Sequence, residues 1–260
     1  TLESVKSIKV DDLKAYLRRY YTSSNSVISC SGNFEIHEFI KLIEDYFGSI
    51  ELGQKPDVSN VSYVGGESRV DKKLEQLQLT IGFDGYNVHH TDYYSLLALS
   101  VILGEGMSSR LFQEIREKKG LAYSIFSSVT GHDNSGLFSI YAGTTPDNAN
   151  TLVDILSREV AGIIDHTKSA EVNRAKAQLK SSFLMGLEST DGKCIHSARQ
   201  VLLFDRLVKS EETLSKIEEV NINSINKASK EVFESKPSLS LVGNVSNVPD
   251  YTNIVDSISC

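Results

Sequence analysis

Between Gln76 and Phe83 the chain alternates apolar and polar positions, with Leu77, Leu79, Ile81 and Phe83 set against Gln78, Thr80 and Gly82. That is the period of a strand with one buried face. The period then changes, and Tyr93 to Leu103 predicts a helix. Leu111, Phe112 and Ile115 recur at helical spacing, and Lys118 and Lys119 fall where cations suit the end of a helix dipole. Gly120 is the residue type that stops helices in a left-handed conformation. Leu121 to Ser128 predicts a strand, and Leu121 to Thr144 as a whole predicts two strands joined through the turn-rich His132-Asp-Asn-Ser-Gly136. Two helices follow, with apolar stripes at Leu152, Ile155, Leu156, Val160 and Ile163 and at Val172, Ala175, Leu179 and Phe183. Shorter helices are expected over Ile195 to Leu207 and Glu211 to Val220. The pattern predicts an α+β domain, a largely antiparallel sheet with helices packed on one face.

Upstream, the pattern predicts a helix from Val10 to Tyr21, a strand from Ser26 to Ser31, and a helix from Ile36 to Phe47 closed by Gly48. Gly53 to Gly66 reads as a linker. The upstream block is repeated near the other end of the chain. Val10-Asp-Asp-Leu-Lys-Ala-Tyr, then Tyr21 and Ser26-Val-Ile-Ser-Cys-Ser-Gly-Asn-Phe34, matches Ile222-Asn-Ser-Ile-Asn-Lys-Ala, then Phe233 and Ser238-Leu-Ser-Leu-Val-Gly-Asn-Val245. With one single-residue gap the copies keep an offset of about 212 residues, an interval of domain size. The expected organisation is a C-terminal remnant of a similar domain over residues 1–52, a linker over 53–66, a second domain over 67–245 and a tail over 246–260. The other reading of residues 1–52 is an N-terminal extension.

Composition narrows the range of partners. The 260 residues are 40% hydrophobic, enough for a sizeable core, and 27 basic against 34 acidic residues leave a net charge of −7. That balance argues against nucleic acid or an anionic membrane surface as the main partner and suits cationic peptides. No apolar run approaches the roughly 18 residues of a membrane span, and no signal peptide is visible. Cys30, Cys194 and Cys260 are widely spaced with no CxxC, which favours a reducing soluble compartment, bacterial cytoplasm or mitochondrial matrix, with the periplasm still open. Cys30 lies in an apolar stretch and is expected to be a packing residue.

The chemistry converges on one corner. Arg116 at the end of a charged helical turn and Tyr123 on the following strand place a fixed cation and a phenol seven residues apart. A planar guanidinium fork and a hydroxyl suit a peptide carbonyl or a developing oxyanion. The other reading makes Arg116 a solvated helix residue and Tyr123 a half-buried strand aromatic. The six histidines, His37, His89, His90, His132, His166 and His196, form no clustered ligand set by spacing, so no metal site is expected. Gly104-Glu-Gly106 followed by Ser109 approaches a dinucleotide loop, but what precedes it predicts a helix, so a helix-to-helix turn is expected.

The run from Leu103 to Ile125, with Gly136-Leu-Phe-Ser-Ile-Tyr-Ala-Gly-Thr144, Leu187-Glu-Ser-Thr190, Ala198-Arg-Gln200 and Leu239 to Val245, resembles the second domain of pitrilysin/insulinase-type zinc peptidases, and within them the mitochondrial processing peptidase and its bacterial relatives. The resemblance covers nearly the whole chain. It implies an inverted His-x-x-Glu-His motif with a third Glu ligand, and no such motif occurs here. It therefore implies the C-terminal part of a zinc metalloendopeptidase, with zinc ligands in an N-terminal zinc-bearing domain and no zinc bound or peptide cleaved by this part alone. Arg116 and Tyr123 would bind the substrate backbone and the tetrahedral intermediate. By likeness to a glycine-rich loop of the processing peptidase, Gly104, Gly106 and Ser108 would contact the peptide. Homodimeric and heterodimeric assemblies both accord with the resemblance. Two other functions stay open on the residues: a non-catalytic structural or partner subunit of the same family, and a peptide-binding module without proteolysis.

Overall fold

A computed structural model describes residues 1–55 and 61–258. In chain order the elements are α1 (Leu2–Ser7), α2 (Val10–Tyr20), α3 (Ile36–Phe47), β1 (Gly66–Asp71), β2 (Leu77–Gly85), α4 (Tyr93–Leu103), a π-helical turn (Phe112–Glu117), β3 (Ala122–Gly131) and β4 (Gly136–Thr144). They continue as α5 (Ala149–Asp165), α6 (Ser169–Gly186), α7 (Thr190–Phe204), α8 (Ser210–Glu219), α9 (Ile222–Phe233), β5 (Ser238–Gly243) and α10 (Tyr251–Ile258). The chain separates into two units, Thr1–Asn60 with Leu184–Val208, and Val61–Phe183 with Lys209–Cys260.

The second unit holds a five-stranded sheet in the order β1-β5-β2-β4-β3. All pairings are antiparallel except β1 with β5, which run parallel. The alternation in β2 does what its period requires: Leu77, Leu79, Ile81 and Phe83 are buried. Phe138, Ile140 and Ala142 of β4, Ile125 of β3, and Leu239 and Leu241 of β5 are buried with them. Phe233 of α9 sets its ring edge-on to Phe83 and Phe138, at centroid distances of 5.0 and 5.5 Å. α4 is apolar all round, and a helix of that kind has to be enclosed: it lies between β3 and α9 and buries Leu96, Leu99, Ile102 and Leu103. The opposite face of the sheet carries small or polar side chains such as Gln78, Thr80, Ser139 and Ser240. The fold is α+β, a mostly antiparallel sheet with packed helices.

One strand escapes the hydrophobic pattern. β1 begins at Gly66, where a linker is expected to end, and runs through Glu67, Ser68, Arg69 and Val70. An edge strand pairs on one side only and is held by backbone bonds, so it needs no apolar alternation. Arg69 fixes it further by donating to the carbonyls of Val248 (3.2 Å) and Pro249 (2.5 Å). α10, in the segment expected as a tail, buries Ile254 and Ile258.

In the first unit α2 and α3 form where the pattern predicts them, with Gly48 as the C-cap of α3, and neither buries a residue. The expected strand over Ser26 to Ser31 is not formed; among the described residues the segment has no ladder partner. A strand is completed by its neighbours, and apolar alternation alone does not supply one. Cys30 is consequently exposed, which corrects the packing role expected for it. α7 starts earlier than expected because Ser189 caps it, accepting a bond from the Gly192 amide at 2.9 Å. Cys194 on this helix donates to the Ser29 carbonyl at 3.1 Å.

Candidate functional site

The corner that carries Arg116 and Tyr123 is built by one extra residue on each side of Gly120. Before it, the helix is wound wide: the Lys118 amide reaches back to the Gln113 carbonyl at 3.0 Å, a π-helical bond. The closure is also one residue wider than a Schellman cap, with the Leu121 amide on the Ile115 carbonyl (2.9 Å) and the Gly120 amide on the Arg116 carbonyl (3.1 Å). Gly120 takes φ +61° with open space where a Cβ would stand, so backbone handedness alone requires glycine there.

After Gly120 the extra residue appears in the sheet. Ala122 pairs with Thr144 and Ser124 with Gly143, which leaves Tyr123 as the inserted residue of a β-bulge. Its side chain is 75% exposed, although it sits in a strand of a packed sheet. Arg116 is attached to it twice. Its Nη1 donates to the Tyr123 carbonyl at 3.0 Å, and the guanidinium carbon lies 4.4 Å from the Tyr123 ring centroid and 4.6 Å from that of Phe112. The reading of a half-buried Tyr123 is therefore corrected, whereas Arg116 is a partly solvated helix residue that is held to Tyr123. The corner presents an anchored phenol to solvent with a permanent cation against its ring, an arrangement able to donate to and accept from a peptide backbone.

The glycine turn precedes this corner in the chain, between α4 and the π-helical turn. Gly104 caps α4 and is buried, and a Cβ there would stand 2.4 Å from the Ser127 amide of β3, so close helix-to-strand packing explains this glycine. Gly106, at φ +90°, and Ser108 are exposed. The turn is tied to α6: Arg174 donates to the Ser108 carbonyl at 3.1 Å, and Arg110 grips Glu171 through Nε and Nη2, both at 2.8 Å. Burial draws the Glu171 carboxyl upward, but the bonds from Arg110 and the Lys168 amide, with the Arg110 and Arg174 charges, outweigh it and hold the group below the usual Glu range. Neither Arg110 nor Phe112 stands out in the sequence as a site residue. The bidentate geometry and the ring stacking that involve them arise only across elements.

The histidines are dispersed. His89 contacts Asp133 at 2.7 Å, and His90 stacks on Tyr86 at 3.8 Å. Burial, then the hydrogen bond to Glu231, pushes the Tyr86 phenol above its ordinary range. Among the described residues no group of three or more His, Cys, Asp or Glu side chains is placed to hold a metal ion, so the residues present do not fit a zinc site.

The family model described as the peptidase M16 inactive domain matches residues 7–179. The chain belongs to the peptidase M16 family. A Bacillus subtilis (strain 168) relative named as the uncharacterized zinc protease YmxG is 34% identical over 251 residues, 96% of this chain and 61% of the relative. An uncharacterized zinc protease of Rickettsia bellii (strain RML369-C) is 31% identical, over 94% of this chain and 59% of its own length. A probable mitochondrial-processing peptidase subunit beta of Schizosaccharomyces pombe is 30% identical, over 99% of this chain and 60% of its own length. This M16 chain thus spans about three-fifths of these relatives. The same fold occurs in a chain of complex III2 from Candida albicans, with Inz-5 bound, at a TM-score of 0.89 and 22% identity over all of this chain and 65% of that one. It occurs again in a protease from Helicobacter pylori, at a TM-score of 0.79 and 20% identity over 94% of this chain and 61% of that one. Among the described residues no helix of this M16 domain is long and apolar enough to cross a membrane.

Proposed function

We propose that this chain is the C-terminal part of an M16 zinc metalloendopeptidase, acting on peptides or presequences, in which it supplies substrate contacts and another part of the polypeptide supplies the zinc ligands. The observation that carries the reading is the bulged, exposed Tyr123 with Arg116 attached to it. A phenol that is 75% exposed does not serve to fill the core. It can donate to the carbonyl of an extended peptide and to the oxyanion that develops from it. Gly106 and Ser108, exposed in the turn after α4, are free to contact a peptide, whereas Gly104 serves the packing of α4.

The division of labour is supported by the repeat. Gly32 and Gly243 end the two copies with φ +142° and +136°, and each is followed by Asn. In the second copy Ile225, Ala228, Ser229 and Phe233 of α9 are at most 1% exposed beneath the sheet that β5 helps to form. Their counterparts Leu13, Tyr16, Leu17 and Tyr21 are 56%, 58%, 48% and 65% exposed. The first copy has the sequence of a packed helix and strand, and among the described residues it lacks the sheet that would cover it. A preceding part of the polypeptide, homologous to β1–β4 and bearing the zinc ligands, would complete it.

The test uses the full parent chain. Bound zinc and hydrolysis of an extended peptide are expected there, while this 260-residue chain after dialysis should hold no stoichiometric zinc and cleave nothing. Tyr123→Phe in the parent should lower turnover by about a hundredfold to a thousandfold with zinc retained, the usual loss for one oxyanion donor. A parent with neither zinc nor hydrolysis would instead be a non-catalytic partner subunit.

A further inference from the structure

We propose that the cavity between α6 and α9 is a binding site for the main chain of an extended, uncharged peptide, separate from the corner of Arg116 and Tyr123. The cavity measures about 480 Å³, within the size range of small-ligand sites. Its apolar lining is Val172, Val220 and Ile222, and both valines are buried. Around them stand Ser169, Asn173 and Lys176 of α6, with Asn221 and Asn223 at the start of α9. The opposite face of α6 carries Glu171 and Arg174, which hold Arg110 and the Ser108 carbonyl, so this helix separates the cavity from the glycine turn.

Two of the polar groups are already committed. Lys176 donates to the Glu218 carbonyl at 2.6 Å and pairs with the Glu218 carboxylate at 3.0 Å. The Asn221 side chain accepts from the Ser224 amide and donates to the Glu219 carbonyl, both at 3.1 Å. What remains free is neutral. The carboxamides of Asn173 and Asn223 are exposed and make no side-chain hydrogen bond among the described residues. A carboxamide offers a donor and an acceptor side by side, which is the complement of a peptide unit.

Asn226 adds an independent sign of a missing ligand. Its Oδ1 is buried and has no hydrogen-bond partner, the one such side-chain atom among the described residues. Asn226 lies one turn beyond Ile222 and Asn223 on the same face of α9. Helical side chains lean toward the N-terminus, so its carboxamide is directed toward the wall that those two residues form. An orphaned acceptor costs stability, and a peptide N–H would supply the donor it lacks. The lining holds no aromatic ring to stack a nucleobase and no carboxylate, imidazole or thiolate to hold a cation. A neutral strand with a small apolar side chain over Val172 and Val220 meets every group that is left.

The test titrates acetyl-Gly-Val-Gly-amide into this chain labelled with nitrogen-15 and follows it by NMR. Saturable shifts are expected in the amide and carboxamide signals of residues 169–176 and 220–226, and Tyr123→Phe should leave them unchanged. Asn173→Ala and Asn223→Ala, both at exposed positions, should each weaken binding about fivefold, the usual worth of one net hydrogen bond. Methylating the valine N–H of the peptide should weaken it as much. Asn226→Leu should weaken binding and yet raise Tm by about 2–4 °C, because it removes an unsatisfied acceptor from the empty chain. Shifts that are absent, or that fall outside these two segments, would overturn the proposal. So would equal binding of the methylated peptide, which would reduce the cavity to an apolar groove with no hold on a main chain.

Discussion

Arg110 and Glu171 form a bidentate pair, two bonds of 2.8 Å between side chains that are each only 14% exposed, and it joins the turn after α4 to the start of α6. The same guanidinium donates to the His166 carbonyl at 2.8 Å, so one side chain closes three bonds at a junction of two elements. Arg110→Ala should lower unfolding stability by about 2 kcal/mol, the scale of hydrogen bonds to charged groups. Arg174→Ala, which loses one bond at an exposed position, should cost under about 1 kcal/mol. Urea midpoints for the two variants decide this, and equal losses would mean that the bidentate pair is not what holds the junction.

The same pair sets a pH dependence. The folded state holds the Glu171 carboxyl below its unfolded value, so its contribution to stability is complete above about pH 4.3, the ordinary Glu value, and is lost as pH falls through the lower folded one. Unfolding free energy measured from neutral to strongly acid pH should fall less steeply in Arg110→Ala than in the wild type. Parallel curves would show that Arg110 does not control this titration.

Among the described residues, every buried hydrophobic side chain lies between Leu77 and Ile258, and none belongs to the first unit. A chain beginning at Val61 should therefore keep a cooperative thermal transition near the original Tm, because its removal of α1–α3 deletes no buried apolar group. It should also bind less of a dye that reports exposed apolar surface, since Leu13, Tyr16, Leu17, Ile36 and Ile40 are all bare. Loss of the cooperative transition on truncation would make residues 1–60 part of the core.

Gly120→Ala isolates the cost of backbone handedness. No atom stands within 4 Å of the added Cβ, so the expected loss of about 1 kcal/mol comes from φ +61° alone. Thermal denaturation gives the magnitude. A neutral substitution would mean that the corner relaxes to another conformation, in which case the Tyr123 ring should lose its contact with Arg116.

Where local periodicity is strong the sequence can be read closely: α3 and α4 keep the expected bounds, and the β3–β4 hairpin forms around the expected turn. What could not be read depends on partners distant in the chain. β1 is polar and becomes a strand because β5 lies beside it, while Ser26 to Ser31 looks like a strand and has no neighbour to make it one. The site was legible to the same extent. The residue types and spacing of Arg116 and Tyr123 mark the corner, but nothing in the local pattern encodes a π-helical turn or a bulge, so the contact between the two residues and the part played by Phe112 emerge only in three dimensions.

The placement of β5 has a consequence for biosynthesis. Among the described residues β5 follows the other strands of its sheet in the chain, yet it lies inside the sheet, between β1 and β2. On a ribosome adding ~5–20 residues per second, β1 must wait on the order of ten to thirty seconds for β5, its one ladder partner among the described residues. Through that interval its backbone edge is open to any other nascent or misfolded chain. Glu67, Arg69 and Asp71 within the strand, with Lys72 and Lys73 directly after it, are the kind of residues that keep a waiting edge from pairing wrongly. The polarity that hides β1 from pattern recognition is thus suited to protecting the chain while it is incomplete.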